Sequence, residues 1–139
     1  MIKALFLLTL LTFPTMSNSN TKMNLEKYFN SFSWNKRIVL FISKEKHIHL
    51  INETDNFFKK NICKNEVRNL KYIRIVGDDV NNYIMPERYK NKYGIWLIGY
   101  DGQDKSYSNN TSLLKDIHNI IDTMPIRKNE MIKQNKKIN

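Results

Sequence analysis

The sequence has a single cysteine, Cys63. One thiol excludes an internal disulfide, a CxxC redox pair and a cysteine zinc cage. Glycines number only four and prolines three among 139 residues. No glycine-rich phosphate loop of the GxGxxG or GxxxxGK type can be drawn from them, and no GxSxG nucleophile elbow. Histidines are equally sparse. His47-x-His49 with Glu45 is the nearest thing to a ligand set, but a helix beginning there breaks the alignment, and His118 stands alone, read as a surface histidine. Neither a metal nor a cofactor is expected. Long apolar runs are also missing. The longest, Ala4 to Phe13, is about half of the ~20 residues that a spanning helix needs.

What is present describes a small globular chain. Hydrophobic residues at 41% and aromatics at 12% argue against disorder, and the length suits one domain. The formal charge is +10, from 23 Lys and Arg against 13 Asp and Glu. Asn, Lys and Ile, all encoded by AT-rich codons, dominate together. Lys outnumbers Arg by 18 to 5, whereas nucleic-acid sites favour the bidentate guanidinium. No nucleic-acid partner is expected. Contact with an anionic envelope polymer stays open, because a positive surface attracts one without specific geometry.

Residues 1–19 read as a secretory signal peptide: Lys3, then the apolar run, then Pro14 and the small residues Ser17 and Ser19. The domain is expected over 20–131, followed by a basic, frayed tail over 132–139, with no span of the membrane once the signal is removed. The protein is expected to be exported, to the periplasm or beyond the cell. Its oligomeric state is not readable.

Leu25, Tyr28, Phe29 and Phe32 fall at helical spacing, and Arg37 to Ile42 is a buried strand, apolar on both faces. A helix is predicted over roughly Ile48 to Lys64, with Asn65 at its exit. A strand over Lys71 to Val76 follows, then a Gly77-Asp-Asp79 turn. Val80 to Lys92 is ambiguous around Pro86. Gly94 to Gly99 is a strand, and Asp101-Gly102 turns it back through Lys105 to Tyr107 as a β-hairpin. Leu113, Leu114, Ile117, Ile120, Ile121 and Met124 define the last helix, with Ser112 as N-cap, Asp116 favouring its first turn and Pro125 as stop. A helix between the first two strands implies a right-handed parallel crossover. The order predicts an α/β fold: a thioredoxin-like sandwich with a four-stranded mixed sheet, a C-terminal β-hairpin and helices on both faces.

Several segments carry a resemblance. They are Trp34-Asn-Lys-Arg37, Glu66-Val-Arg68, Leu97-Ile-Gly-Tyr-Asp-Gly102 with Lys105, and Ile121-Asp-Thr-Met-Pro-Ile-Arg127 with Glu130-Met131. Together they resemble the DUF4174 family, a domain of unknown function found in small exported bacterial proteins and, repeated, in animal extracellular-matrix and sushi-repeat proteins. The resemblance covers roughly Phe29 to Met131 and implies a thioredoxin-like fold. It supplies no established activity, although a remote relation to peroxiredoxins has suggested redox roles. Ile126 replaces the family's more usual Met, and Tyr100 its more usual Lys, a change read as keeping surface character.

Thioredoxin-type chemistry places its cysteines after the first strand, near a helix start. Ser43-Lys-Glu-Lys-His47 occupies that stretch, without a thiol. Cys63, placed toward the end of its helix, is the thiol candidate and is more simply a tolerated small hydrophobe. The polar motif residues Arg37, Asp101, Lys105, Asp122, Arg127 and Glu130 are the candidate binding surface. Their alternative role is capping and ion pairing, with Asp122 bonding amides before Pro125 and Arg127 paired to Asp122 or Glu130. The leading expectation is a non-catalytic binding or accessory module whose partner is an unidentified protein or envelope component. The alternatives are a single-Cys peroxiredoxin-like protein using Cys63 and a basic module on anionic envelope polymer.

Overall fold

The computed structural model describes residues 21–138; the expected signal peptide, 1–19, lies outside them. β1 (Met23–Asn24) leads into α1 (Leu25–Asn30), whose first turn is capped by Asn24 Oδ1 accepting the Lys27 N–H at 2.9 Å. β2 (Arg37–Ser43) is buried at every position, as its unbroken apolar run requires. The helix predicted over Ile48 to Lys64 is two helices, α2 (Ile48–Lys60) and α3 (Ile62–Glu66). They meet at Asn61, whose backbone leaves helical geometry (φ −115°, ψ 27°) while its N–H and its side-chain amide both donate to the Phe57 carbonyl, at 3.1 and 2.8 Å. Ile62, inside the predicted helix, is exposed.

β3 (Leu70–Val76) runs parallel to β2 with Arg37 opposite Leu70. A 3₁₀ helix (Gly77–Asn82) and the two-residue β4 (Tyr83–Ile84) resolve the ambiguous stretch, and β4 pairs with β1. β5 (Gly94–Ile98) and β6 (Asp104–Ser108) form the hairpin, with β5 antiparallel to β2. The result is a four-stranded mixed sheet in the order β3-β2-β5-β6.

The sheet separates two apolar layers. Val39, Phe41, Ile95 and Leu97 point to α2 and to α4 (Ser112–Asp122), packing on Ile51, Leu113, Leu114, Ile117 and Ile121. Ile38, Leu40, Ile42, Ile73, Ile75, Trp96 and Ile98 point the other way, to Leu25 and Phe29 of α1 and to Tyr89. This alternation follows from the period of two along each strand.

Two expectations at the C-terminal end change. The N-cap of α4 is Thr111 rather than Ser112, and Asp116 falls outside the first turn. Asn110 Oδ1 accepts the Ser112 N–H instead, at 2.8 Å. Pro125 ends α4 but also opens α5 (Pro125–Ile138), using the first helical position where a missing N–H costs nothing. The tail expected to fray from residue 132 is therefore helical through Ile138. The reason is side-chain anchorage, described next. Among the described residues no helix is long and apolar enough to cross a membrane.

Candidate functional site

Arg37 opens β2, and its N–H bonds the Asn69 carbonyl at 2.9 Å in the turn that opens β3. Tyr100 follows the end of β5. These three points lie at one end of the sheet, and α5 docks across them. Arg37 is only 1% exposed. Its Nη1 donates to the Arg68 carbonyl at 2.8 Å, to the Tyr100 hydroxyl at 3.0 Å and to Glu130 Oε2 at 3.2 Å. Its guanidinium carbon stands 4.0 Å from the centroid of the Tyr100 ring. Tyr100 in turn donates to Glu130 Oε1 at 2.5 Å, and Asn69 Nδ2 donates to the Tyr100 oxygen at 3.0 Å.

Arg127, 3% exposed, extends the network. Its Nε donates to Asp122 Oδ1 at 3.1 Å, and its Nη1 to the Val67 carbonyl at 2.7 Å, Gln134 Oε1 at 3.2 Å and Glu130 Oε2 at 3.5 Å. Arg68 grips Asp122 with both arms of its fork, at 3.0 and 2.5 Å, the geometry in which a guanidinium pairs most strongly. Burial pushes the Asp122 carboxyl up, but the bonds from Arg68 and Arg127 outweigh it and hold the group below the usual carboxylate range. Burial, then the bond to Glu130, raises the Tyr100 phenol.

Of the six polar residues picked from the sequence, Arg37, Asp122, Arg127 and Glu130 thus form one partly buried network. Asp122 meets two guanidinium groups, not the backbone amides expected before Pro125. Asp101 and Lys105 pair separately across the hairpin turn, at 2.7 Å. The Lys105 bond holds the Asp101 carboxyl low, so the pair is ionised and neutral overall.

The two groups meet at a cavity of about 280 Å³ lined by Trp34, Arg37, Gly99, Tyr100, Asp101, Lys105, Met124, Pro125 and Ile126. Three of the motif segments therefore wall one space. Gly99 leaves room for the lysine stem: a Cβ there would stand 2.4 Å from Lys105 Cε. Trp34 is 67% exposed and has φ of +63°, a left-handed conformation that costs a bulky side chain of the order of 1–2 kcal/mol. Its N–H donates to the Tyr100 carbonyl at 3.0 Å, which fixes it at the mouth.

Arg68, Tyr100, Asn69, Gln134 and Trp34 were not picked as site residues. Arg68 and Trp34 did stand in the family segments, and Gln134 lies seven residues after Arg127 on one helix face. Tyr100 is buried rather than on the surface. A second cleft, of about 300 Å³, opens where β2 and β3 end, lined by Ser43, Lys44, Glu45, Gly77 and Tyr93 among others. This is the place a thioredoxin-type thiol would take. Cys63 lines neither space; it is exposed in the first turn of α3, not near the end of a long helix. His118, expected on the surface, is half-buried, with Nε2 2.8 Å from Asn65 Oδ1. Among the described residues no cluster of three His, Cys, Asp or Glu could hold a metal ion.

Neither the curated proteins nor the solved structures offer a match to this chain. A family model does, described as Domain of unknown function (DUF4174), over residues 28–130. That span holds both the sheet and the charged network, and the chain belongs to the DUF4174 family.

Proposed function

We propose that this chain is an exported, non-catalytic binding module of thioredoxin-like architecture. The sheet order and strand directions support the architecture: a parallel β2–β3 crossover through helix, then an antiparallel hairpin on the other side of β2. One observation carries the binding reading. Trp34-to-Arg37, Gly99-to-Lys105 and Met124-to-Ile126 converge on a single cavity that combines apolar walls with a buried arginine, the composition that small-molecule sites share. Catalysis by a thiol would need Cys63, which lines neither this cavity nor the cleft at the strand ends.

A diverse fragment library screened by NMR against the ¹⁵N-labelled protein tests the reading. Binding fragments are expected to shift the Trp34 indole, Tyr100, Lys105 and Ile126 together. Shifts confined to other faces, or none at all, would overturn it. Export is checked apart: protein recovered from a bacterial envelope fraction is expected to begin at Asn18 or Asn20, and an intact Met1 there refutes cleavage.

A further inference from the structure

We propose that the cavity between β2, the β5–β6 turn and the start of α5 receives a small carboxylate carrying an apolar body, with Arg37 as its anchor. The inference rests on reading this cavity as the binding site and adds the chemical class of the ligand.

The first observation is the unused edge of a buried guanidinium. Every hydrogen bond from the Arg37 side chain leaves through Nη1. Nε and Nη2 have no hydrogen-bond partner among the described residues, and neither is fully enclosed, since the one buried side-chain nitrogen without a partner there is Arg88 Nε; the free edge of Arg37 keeps an opening, and its side chain lines the cavity. Nε and Nη2 together form the fork that a carboxylate fits with two parallel bonds.

The second observation is charge. In the network three guanidinium groups, of Arg37, Arg68 and Arg127, face two carboxylates, of Asp122 and Glu130. The Lys105–Asp101 pair at the rim adds nothing net. One cation is left in excess beside the cavity, which favours an anion as guest.

The third observation selects among anions. Trp34, Met124, Pro125 and Ile126 supply the remaining walls. Apart from the Trp34 indole N–H their side chains offer no donor for a phosphate's further oxygens, and they suit an aromatic or branched aliphatic body. The volume sits at the small end of ligand sites, which run to about 300–1,000 Å³. Trp34 provides the clearest sign of use. A large aromatic is held in left-handed backbone with most of its ring in water, and strain of this kind persists where a side chain is needed in place.

Phenylacetate, its neutral isostere phenylacetamide and inorganic phosphate serve as probes, titrated separately and followed by ¹⁵N and indole NMR shifts. Phenylacetate is expected to bind in the cavity tenfold or more tighter than the amide, the order of a charged hydrogen bond, and phosphate is expected to leave the Trp34 indole unmoved. Trp34→Asn, which suits left-handed backbone, is expected to keep or raise Tm while weakening phenylacetate at least fivefold. Arg37→Lys keeps the charge, loses the fork and should bring phenylacetate down to the level of the amide. Should that variant fold poorly, Trp34→Asn and the probe comparison decide alone. Equal binding of acid and amide in the cavity overturns the carboxylate assignment and leaves the cavity reading standing. Phosphate binding there as tightly as phenylacetate also overturns it. Fragments failing to bind at all bring down both.

Discussion

Replacing Glu130 with Gln should be among the most damaging single changes this fold can suffer at a partly exposed position. Glu130 is the only carboxylate that touches Arg37 among the described residues, and it also accepts from Tyr100 and Arg127. Arg127 keeps Asp122 after the change, but Arg37 keeps no counter-charge among the described residues. At the 3.2 Å separation, an effective dielectric of about 20 puts the lost attraction near 5 kcal/mol. Glu130 is 20% exposed, and glutamine still offers one oxygen, so the net cost is set lower, at about 3 kcal/mol, the low end for breaking a buried pair. A domain of this size has a total stability of roughly 6–18 kcal/mol. The loss then corresponds to a fall in Tm of about 12 °C.

Thermal unfolding followed by circular dichroism measures this directly. A double-mutant cycle isolates the pair: Arg37→Met with Glu130→Met removes both charges together and should cost at least about 2 kcal/mol less than the two single changes summed. A fall in Tm under about 3 °C for Glu130→Gln, or additivity within ~0.5 kcal/mol, would refute the claim that Arg37 depends on Glu130 for its counter-charge.

The half-buried His118 is held low, first by burial and then by the cations of Arg68 and Lys64, against the opposing pull of Asp122. The unfolded chain therefore takes up a proton below about pH 6.5 that the folded chain resists, so stability falls as pH drops through that range toward the folded pKa. His118→Gln should flatten the decline in urea midpoint between pH 7.5 and 5; an unchanged slope refutes it. Cys63→Ala should move stability by less than about 0.5 kcal/mol, as surface changes do, and the wild-type thiol should not take a sulfenic-acid probe after mild peroxide. Labelling lost in the variant would restore the thiol-enzyme alternative. Gly94→Ala should cost roughly 2–3 kcal/mol, because φ is +142° and the new Cβ would lie 2.6 Å from the Ser108 carbonyl oxygen. A fall in Tm of less than about 4 °C would show that the hairpin yields at that point.

The sheet was legible because its signal is local. β2 and β5 are unbroken apolar runs, and the Asp101-Gly102 turn ties β5 to its neighbour. The break at Asn61 was not, because a helix-like spacing continues through it to Ile62 and the change is one of backbone angles at a single residue. The helical tail was hidden for a different reason. Residues 132–138 have little to bury, and what holds them is Gln134 bonding the Val67 carbonyl at 3.1 Å and Arg127, across 67 and 60 positions of sequence. Contacts that distant leave no periodicity. In the site, the charged residues could be picked by type, whereas Tyr100 reads as a surface residue until its hydroxyl is seen between Arg37, Asn69 and Glu130. The strain at Trp34 is a backbone property and has no side-chain signature.

The same charges invite both a structural and a binding account, and their partners separate the two. Asp122, Arg127 and Glu130 direct their hydrogen bonds to one another, to Arg68, Arg37 and Tyr100, and to the Val67 carbonyl that pins α5. A ligand cannot use them without dismantling the anchorage, so their presence in a motif is evidence of a clamp. Arg37 belongs to both accounts: its bonds to described residues leave through one nitrogen, which serves the clamp, and its side chain also lines the cavity. Loss of binding in an Arg37 variant is therefore ambiguous alone, because the clamp fails with it. Trp34 removes the ambiguity. It contributes no polar side-chain bond to the network and is mostly in water, and its backbone would relax on replacement. A position whose loss harms binding while sparing or improving stability is the mark of a residue kept for its ligand.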